Sequence, residues 1–178
     1  MRPNTIHQRT CFINVAEYLA CYARQKFRVD ERTGGIRIPS SFDLYHCVWQ
    51  AMAKWPVGRT WLGLRRRVDA PKGNLLIHLP DRRHPKEGCR KNPRYWNYIS
   101  PRSCYVIARE LKQVFDQDLY RFVDSQPAGT TRTDAVRRFC QLWHLGIDSE
   151  DALLKNLQRR ERRKRVILKL SENRGKES

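Results

Sequence analysis

The stretch from Ser100 to Asp124, SPRSCYVIARELKQVFDQDLYRFVD, constrains the fold more than any other. Ser100 is a helix-capping residue type, and Pro101 suits the first helical position, where no N–H is needed. Behind them Cys104, Ala108, Leu111, Phe115, Leu119 and Phe122 recur at helical spacing, with Ile107 and Val114 widening the stripe. This predicts one amphipathic helix of about six turns at 3.6 residues per turn. Such a stripe must be buried against other elements, so the rest of the chain is arranged around it.

Two more helices are expected after it. Thr133 is placed to cap DAVRRFCQLWHL, with Ala135, Val136, Phe139, Cys140 and Trp143 facing inward. Gly146 reads as the left-handed residue that closes this helix, and Ile147 supplies the apolar contact beside it. Asp148 opens the last helix, with Glu150 and Asp151 in a first turn where the dipole favours anions. Leu153, Leu154 and Leu157 give that helix an apolar edge. The pair has the outline of a helix-turn-helix. Its second helix begins with acids, however, where a recognition helix would meet phosphates. A plain helical hairpin with a basic extension explains the pattern equally well.

The first half mixes periods. Residues 12–27 place Phe12, Val15, Ala16, Leu19, Ala23 and Phe27 on one helical stripe, which Asn14 would cap late. Gly34 and Gly35 mark a turn, and Ile36, Arg37 and Ile38 then alternate as a short strand ended by Pro39. Ser40 or Ser41 would cap a helix whose core face is Leu44, Cys47, Val48, Ala51, Met52 and Trp55, stopped by Pro56. Trp49 is also expected in the core, as large aromatics dominate cores. VGRTWLGLRRRVDAPKG reads as an irregular loop or a short helix ending in Arg65–Arg67. NLLIHLP is a second short strand, paired with GGIRIP in a two- or three-stranded sheet, antiparallel or parallel. Residues 81–98 form a long basic loop. The fold class is therefore mainly α (α+β), with a small sheet in the first half and a helical hairpin at the C-terminal end. A single domain spans 1–170, made of an α/β half (12–98) and a helical half (100–170). A disordered tail, 171–178, follows.

Charge sets the class of partner. The 178 residues carry 36 Lys and Arg against 18 Asp and Glu, a formal net charge of +18. That surface attracts polyanions. A 10% share of aromatics argues for a folded chain over a disordered basic one. The cations fall in three clusters: Arg65, Arg66 and Arg67; Arg82, Arg83, Arg90, Lys91 and Arg94; and Arg159, Arg160, Arg162, Arg163, Lys164 and Arg165. Arginine forks suit phosphate and guanine edges. In RYWNY, Tyr95, Trp96 and Tyr98 stand ready either to stack unpaired bases or to anchor the basic loop.

Catalytic and metal chemistry lack their patterns. His78, His84 and Cys89, with Cys104 beyond, do not form the two close ligand pairs of structural zinc, so no metal is expected. There is no nucleophile elbow, phosphate loop or dinucleotide fingerprint, and no converging set of carboxylates. The reading is a non-enzyme without a cofactor. Six cysteines at wide spacing, without a Cys-x-x-Cys pair or a secretory signal, point to a reduced, cytoplasmic protein. No run reaches the ~18 apolar residues of a membrane span.

YIS before the long helix, then LYRFVD and TDAVRRFCQLWHLGIDSEDALLKNLQRR, resembles small basic proteins of unassigned function from bacterial mobile elements and phages. The resemblance covers the last half of the chain and brings no site. It implies intracellular work linked to DNA. The function expected is non-enzymatic binding of nucleic acid, DNA ahead of RNA, in a regulatory or mobile-element role. The competing expectation is a basic surface that meets an acidic protein partner.

Overall fold

The chain is α+β. A computed structural model describes residues 9–54, 57–59, 65–67, 72–80, 91, 95–146 and 149–174, with backbone alone at 57–59, 65–67, 164–165 and 167–174. Two compact units divide it, Met1–Phe115 and Asp116–Ser178.

In the first unit, strict alternation overrides the helical stripe expected from residue 12. Thr10–Ile13 is a strand, β1, with Cys11 and Ile13 buried and Phe12 exposed. The helix, α1, begins only at Glu17 and runs to Lys26. Its N-cap is Ala16, without a side-chain cap, so Asn14 has no capping role. The junction is held from a distance. Asn74 Oδ1 accepts from the Val15 N–H at 3.0 Å, and Asn74 Nδ2 donates to the Val15 carbonyl at 2.9 Å. Gly73 is required beside it, because a Cβ there would lie 2.1 Å from the Ile13 carbonyl oxygen.

β2 (Arg28–Val29) and β3 (Ile36–Arg37) pair antiparallel around the expected turn, where Gly34 has φ 69° and donates to the Asp30 carbonyl at 2.8 Å. Ile36 and Ile38 are buried and Arg37 is exposed, as the alternation requires. The next helix, α2, spans Asp43–Ala51 with Phe42 at the N-cap, so neither Ser40 nor Ser41 caps it. Leu44, Val48 and Trp49 are its buried residues. β4 (Met52–Lys54) follows at once.

Val57–Arg59 (β5) and Arg65–Arg67 (β6) pair antiparallel, with Gly58 opposite Arg66. The arginine triplet thus lies in a hairpin strand, where a loop or helix was expected. β7 (Leu75–His78) is central to the main sheet, whose order is β1-β7-β3-β2. It runs antiparallel to β1 and parallel to β3, with Ile36 opposite Ile77. The two predicted strands do pair, and β1 and β2 raise the sheet to four strands. β8 (Trp96–Ile99) pairs with β4, so the last part of the expected 81–98 loop is strand. Three cross-strand pairs with β4, interrupted by a bulge and ending at buried Tyr98 and Ile99, outweigh the local polarity that suggested a loop.

α3 covers Pro101–Asp124 and belongs to both units. The Ser103 N–H donates to Ser100 Oγ at 3.1 Å, which confirms the predicted cap. Cys104, Ile107, Leu111 and Phe115 are buried in the first unit. There the Phe115 ring meets Tyr18 and Tyr22 at 5.3 and 5.0 Å between centroids. The five described cysteines are all free.

In the second unit, α4 spans Arg132–Leu142 and α5 spans Ser149–Arg174. Ala135, Val136, Phe139 and Cys140 of α4 are buried with Leu119, Leu153 and Leu157. The cap of α4 is Thr131, not Thr133: its Oγ1 accepts from the Asp134 N–H at 3.1 Å and donates to Asp134 Oδ2 at 2.6 Å. The left-handed residue after α4 is His144, with φ 45°, in place of Gly146. His144 N–H donates to the Gln141 carbonyl at 3.2 Å, and Leu145 N–H to the Cys140 carbonyl at 2.8 Å. These are the two bonds of a Schellman closure. Ile147 and Asp148 lie outside the described residues. α5 continues through 171–174, where a disordered tail was expected.

Candidate nucleic-acid interface

α5 carries the densest charge of the chain, six cations in the seven residues from Arg159 to Arg165. Its phase is set by Leu153 and Leu157, which are buried. Continuing that stripe by three and four residues reaches Arg160 and Glu161. Both are held within the unit. The Arg160 guanidinium lies 4.0 Å from the Tyr120 ring centroid, and its Nη2 sits 3.1 Å from Asp124 Oδ2. Glu161 pairs with Arg132 at 2.5 Å.

A polar network continues beneath. Asn156 Nδ2 donates to Asp116 Oδ1 at 2.7 Å, and the Tyr120 hydroxyl donates to Asn156 Oδ1 at 3.3 Å. Burial pushes the Tyr120 phenol up, and the Asp116 charge adds to this, against Arg160 and Arg163. Asp116, Tyr120 and Asp124 follow at intervals of four along α3, on one stripe. That spacing is the sequence signal for this network, and apolar periodicity does not pick it out because the stripe is polar.

The other side of α5 is open. Arg159, Arg162, Arg163 and Val166 recur at i, i+3, i+4 and i+7, and all four are exposed. Val166 is 56% exposed. Among the described residues, no ion-pair or hydrogen-bond partner is found for Arg159, Arg162 or Arg163. The structure thus divides the basic run. Arg160 braces the unit, and three guanidinia face solvent. Lys164 and Arg165 continue the helix, and their side chains lie outside the described residues.

The first turn of α5 is acidic, with Glu150 and Asp151. Arg137 of α4 reaches Glu150 at 3.8 Å and Asp134 at 3.6 Å. Residues 143–148 connect the two helices. That connection is longer than the 3–4-residue turn of a helix-turn-helix.

The second cluster changes character. Lys91 donates from Nζ to the carbonyls of Trp49 (2.9 Å), Gln50 (2.5 Å) and Met52 (2.9 Å). It therefore closes the C-terminal end of α2, where the dipole favours a cation. It also lies 5.1 Å from the Trp96 ring centroid, with Lys54 at 5.9 Å. Trp96 is half-buried between these ammonium groups. Tyr98 is only 6% exposed and is core, so it cannot stack a base. Tyr95 alone of the three is open, at 57%. Arg82, Arg83, Arg90 and Arg94 lie outside the described residues, as do His84 and Cys89. Arg65, Arg66 and Arg67 occupy β6, of which the backbone alone is described.

His78 is a strand residue engaged with Thr33, whose Oγ1 is 2.8 Å from its Nε2. Among the described residues no group of three or more His, Cys, Asp or Glu is placed to hold a metal ion. Among them, too, no helix is long and apolar enough to cross a membrane.

Comparison with models of known families, with curated proteins and with solved structures found no match for this chain.

Proposed function

We propose that the chain is a non-enzymatic nucleic-acid-binding protein, acting on DNA in a regulatory or mobile-element setting, with α5 as its phosphate-contacting surface. One observation carries this reading. Arg159, Arg162 and Arg163 share the solvent face of a helix whose opposite face is fixed by Leu153, Leu157 and Arg160. Guanidinium groups held on a braced helix meet phosphates with less loss of freedom than a loose tail would. The net charge of +18 supplies the long-range attraction.

The test is a salt titration of binding to duplex DNA with the full chain and an R159A/R162A/R163A variant. Each phosphate contact contributes about 0.9 to the slope of log affinity against log salt. The variant should lose roughly 2 to 3 from that slope while melting like the parent. No binding at low salt refutes the reading. Equal competition by an acidic polypeptide would favour the acidic protein partner instead.

A further inference from the structure

The outer face of α3 carries a surface that none of the charge runs includes. Arg102, Tyr105, Val106, Arg109 and Gln113 recur at i, i+3, i+4, i+7 and i+11, and all five are exposed. The spacing makes one stripe about 100° wide. Cys104, Ile107, Leu111 and Phe115 occupy the opposite side of the helix and are buried. Tyr105 is 71% exposed, more than any other large hydrophobic residue described, and Val106 beside it is 38% exposed. No carboxylate lies on the stripe. Among the described residues, no ion-pair or hydrogen-bond partner is found for Arg102 or Arg109.

The spacing has a chemical meaning. At a rise of 1.5 Å per residue, Arg102 and Arg109 stand about 10 Å apart along the helix, with Tyr105 between them. An open aromatic ring offers a stacking face, and guanidinia on both sides offer phosphate contacts. In a duplex each base face is already covered by its neighbours, so the ring has nothing to stack on. The carboxylates of an acidic peptide would meet the arginines but not the ring, whose face is negative.

We propose that this stripe is a contact for single-stranded nucleic acid, in which Tyr105 stacks an unpaired base and Arg102 and Arg109 meet the flanking phosphates. The proposal rests on the nucleic-acid reading of the chain and adds the strand state that this face selects. It places a stacking role on an aromatic outside RYWNY, where Tyr98 is buried and Trp96 is half-buried beside two lysines.

The experiment uses the full chain with a labelled oligothymidine single strand and with the same strand paired to its complement. Variants are Y105A, Y105F, R102A/R109A and the α5 triple variant. Y105A should weaken single-strand binding about 5- to 150-fold, the equivalent of ~1–3 kcal/mol per stacked base. Its duplex affinity should match the parent. Y105F keeps the ring and should keep the affinity. R102A/R109A should lower the single-strand salt slope by roughly 1.4, at about 0.7 per contact. Unchanged single-strand affinity in Y105A overturns the proposal, as does an equal loss on both substrates. If Y105A is neutral while the α5 variant loses duplex binding, only this proposal fails. If neither substrate binds at low salt, the nucleic-acid reading fails with it.

Discussion

Replacing Arg160 with alanine separates the two roles open to an arginine in a basic run. If Arg160 braces α5 against α3, the loss is one of stability. Its guanidinium sits 4.0 Å from the Tyr120 centroid, and its side chain is 24% exposed. A partly desolvated contact of this kind contributes about 1 kcal/mol. The ion pair with Asp124, whose side chain is 59% exposed, adds about 0.5 kcal/mol after screening. R160A should therefore cost about 1–2 kcal/mol. At 2–4 °C per kcal/mol for chains of this size, the midpoint falls by roughly 2–8 °C.

R162A provides the contrast. Arg162 is exposed, and among the described residues no such contact is found for it, so its removal should stay within about 0.5 kcal/mol. It should instead lower the salt slope of DNA binding by about one. The assays are thermal unfolding followed by circular dichroism and a salt series of binding isotherms, run on both variants. A double-mutant cycle with D124N isolates the ion pair, with an expected coupling of about 0.2–1 kcal/mol. The reasoning is refuted if R160A melts like the parent and loses the same slope as R162A. Arg160 would then be a phosphate contact like its neighbours.

Three further outcomes follow from the same geometry. Lys91→Met leaves three carbonyls at the end of α2 without their ammonium, and should cost about 1–3 kcal/mol with no change in the DNA salt slope; a lower slope with an unchanged melt would return Lys91 to the phosphate surface. His144→Gly relieves a left-handed residue at φ 45° and should raise the urea midpoint by the equivalent of about 1 kcal/mol, whereas an unchanged midpoint would show that no strain is stored there. The Asp30 carboxyl is held down at about 2, first by its bonds from Arg37 and then by those from Thr33, against a burial effect that raises it. A carboxyl lowered from about 3.9 contributes stability that is complete above that pH and is lost as pH falls through the folded value. The stability difference between parent and D30N should therefore shrink between about pH 4 and about pH 2, and a constant difference across that acid window would refute the pairing.

The parts of the fold legible in the sequence were those where a single local rule decides. Ser100 and Pro101 mark the start of α3 because a cap and a missing N–H act within one turn. Ile36, Arg37 and Ile38 alternate because one face of β3 is buried. What escaped was settled by distant partners. β1 looks helical from residue 12 onward until β7 is set beside it, 62 or more residues away, with Ile13 opposite Leu75. β8 hides in a polar stretch because its partner, β4, is the strand that supplies the pairing. Lys91 is indistinguishable from its cationic neighbours until the carbonyls of α2 are placed around it.

The same distinction explains the charge runs. Counting cations cannot tell a brace from a surface, since Arg159 and Arg160 are identical neighbours in composition. Helical phase can. Leu153 and Leu157 fix the buried line of α5, and the next positions on that line are Arg160 and Glu161, the two that the structure engages. Arg159, Arg162 and Arg163 fall off the line and are exposed. The same projection applied to α3 leaves Tyr105 on the outside, between two arginines that charge counting passed over because they stand seven residues apart. The basic run of α5 is therefore best read after the apolar phase of its own helix has been drawn: Arg160, on the apolar line, has partners inside the unit, and Arg159, Arg162 and Arg163, off it, are the ones available to a polyanion.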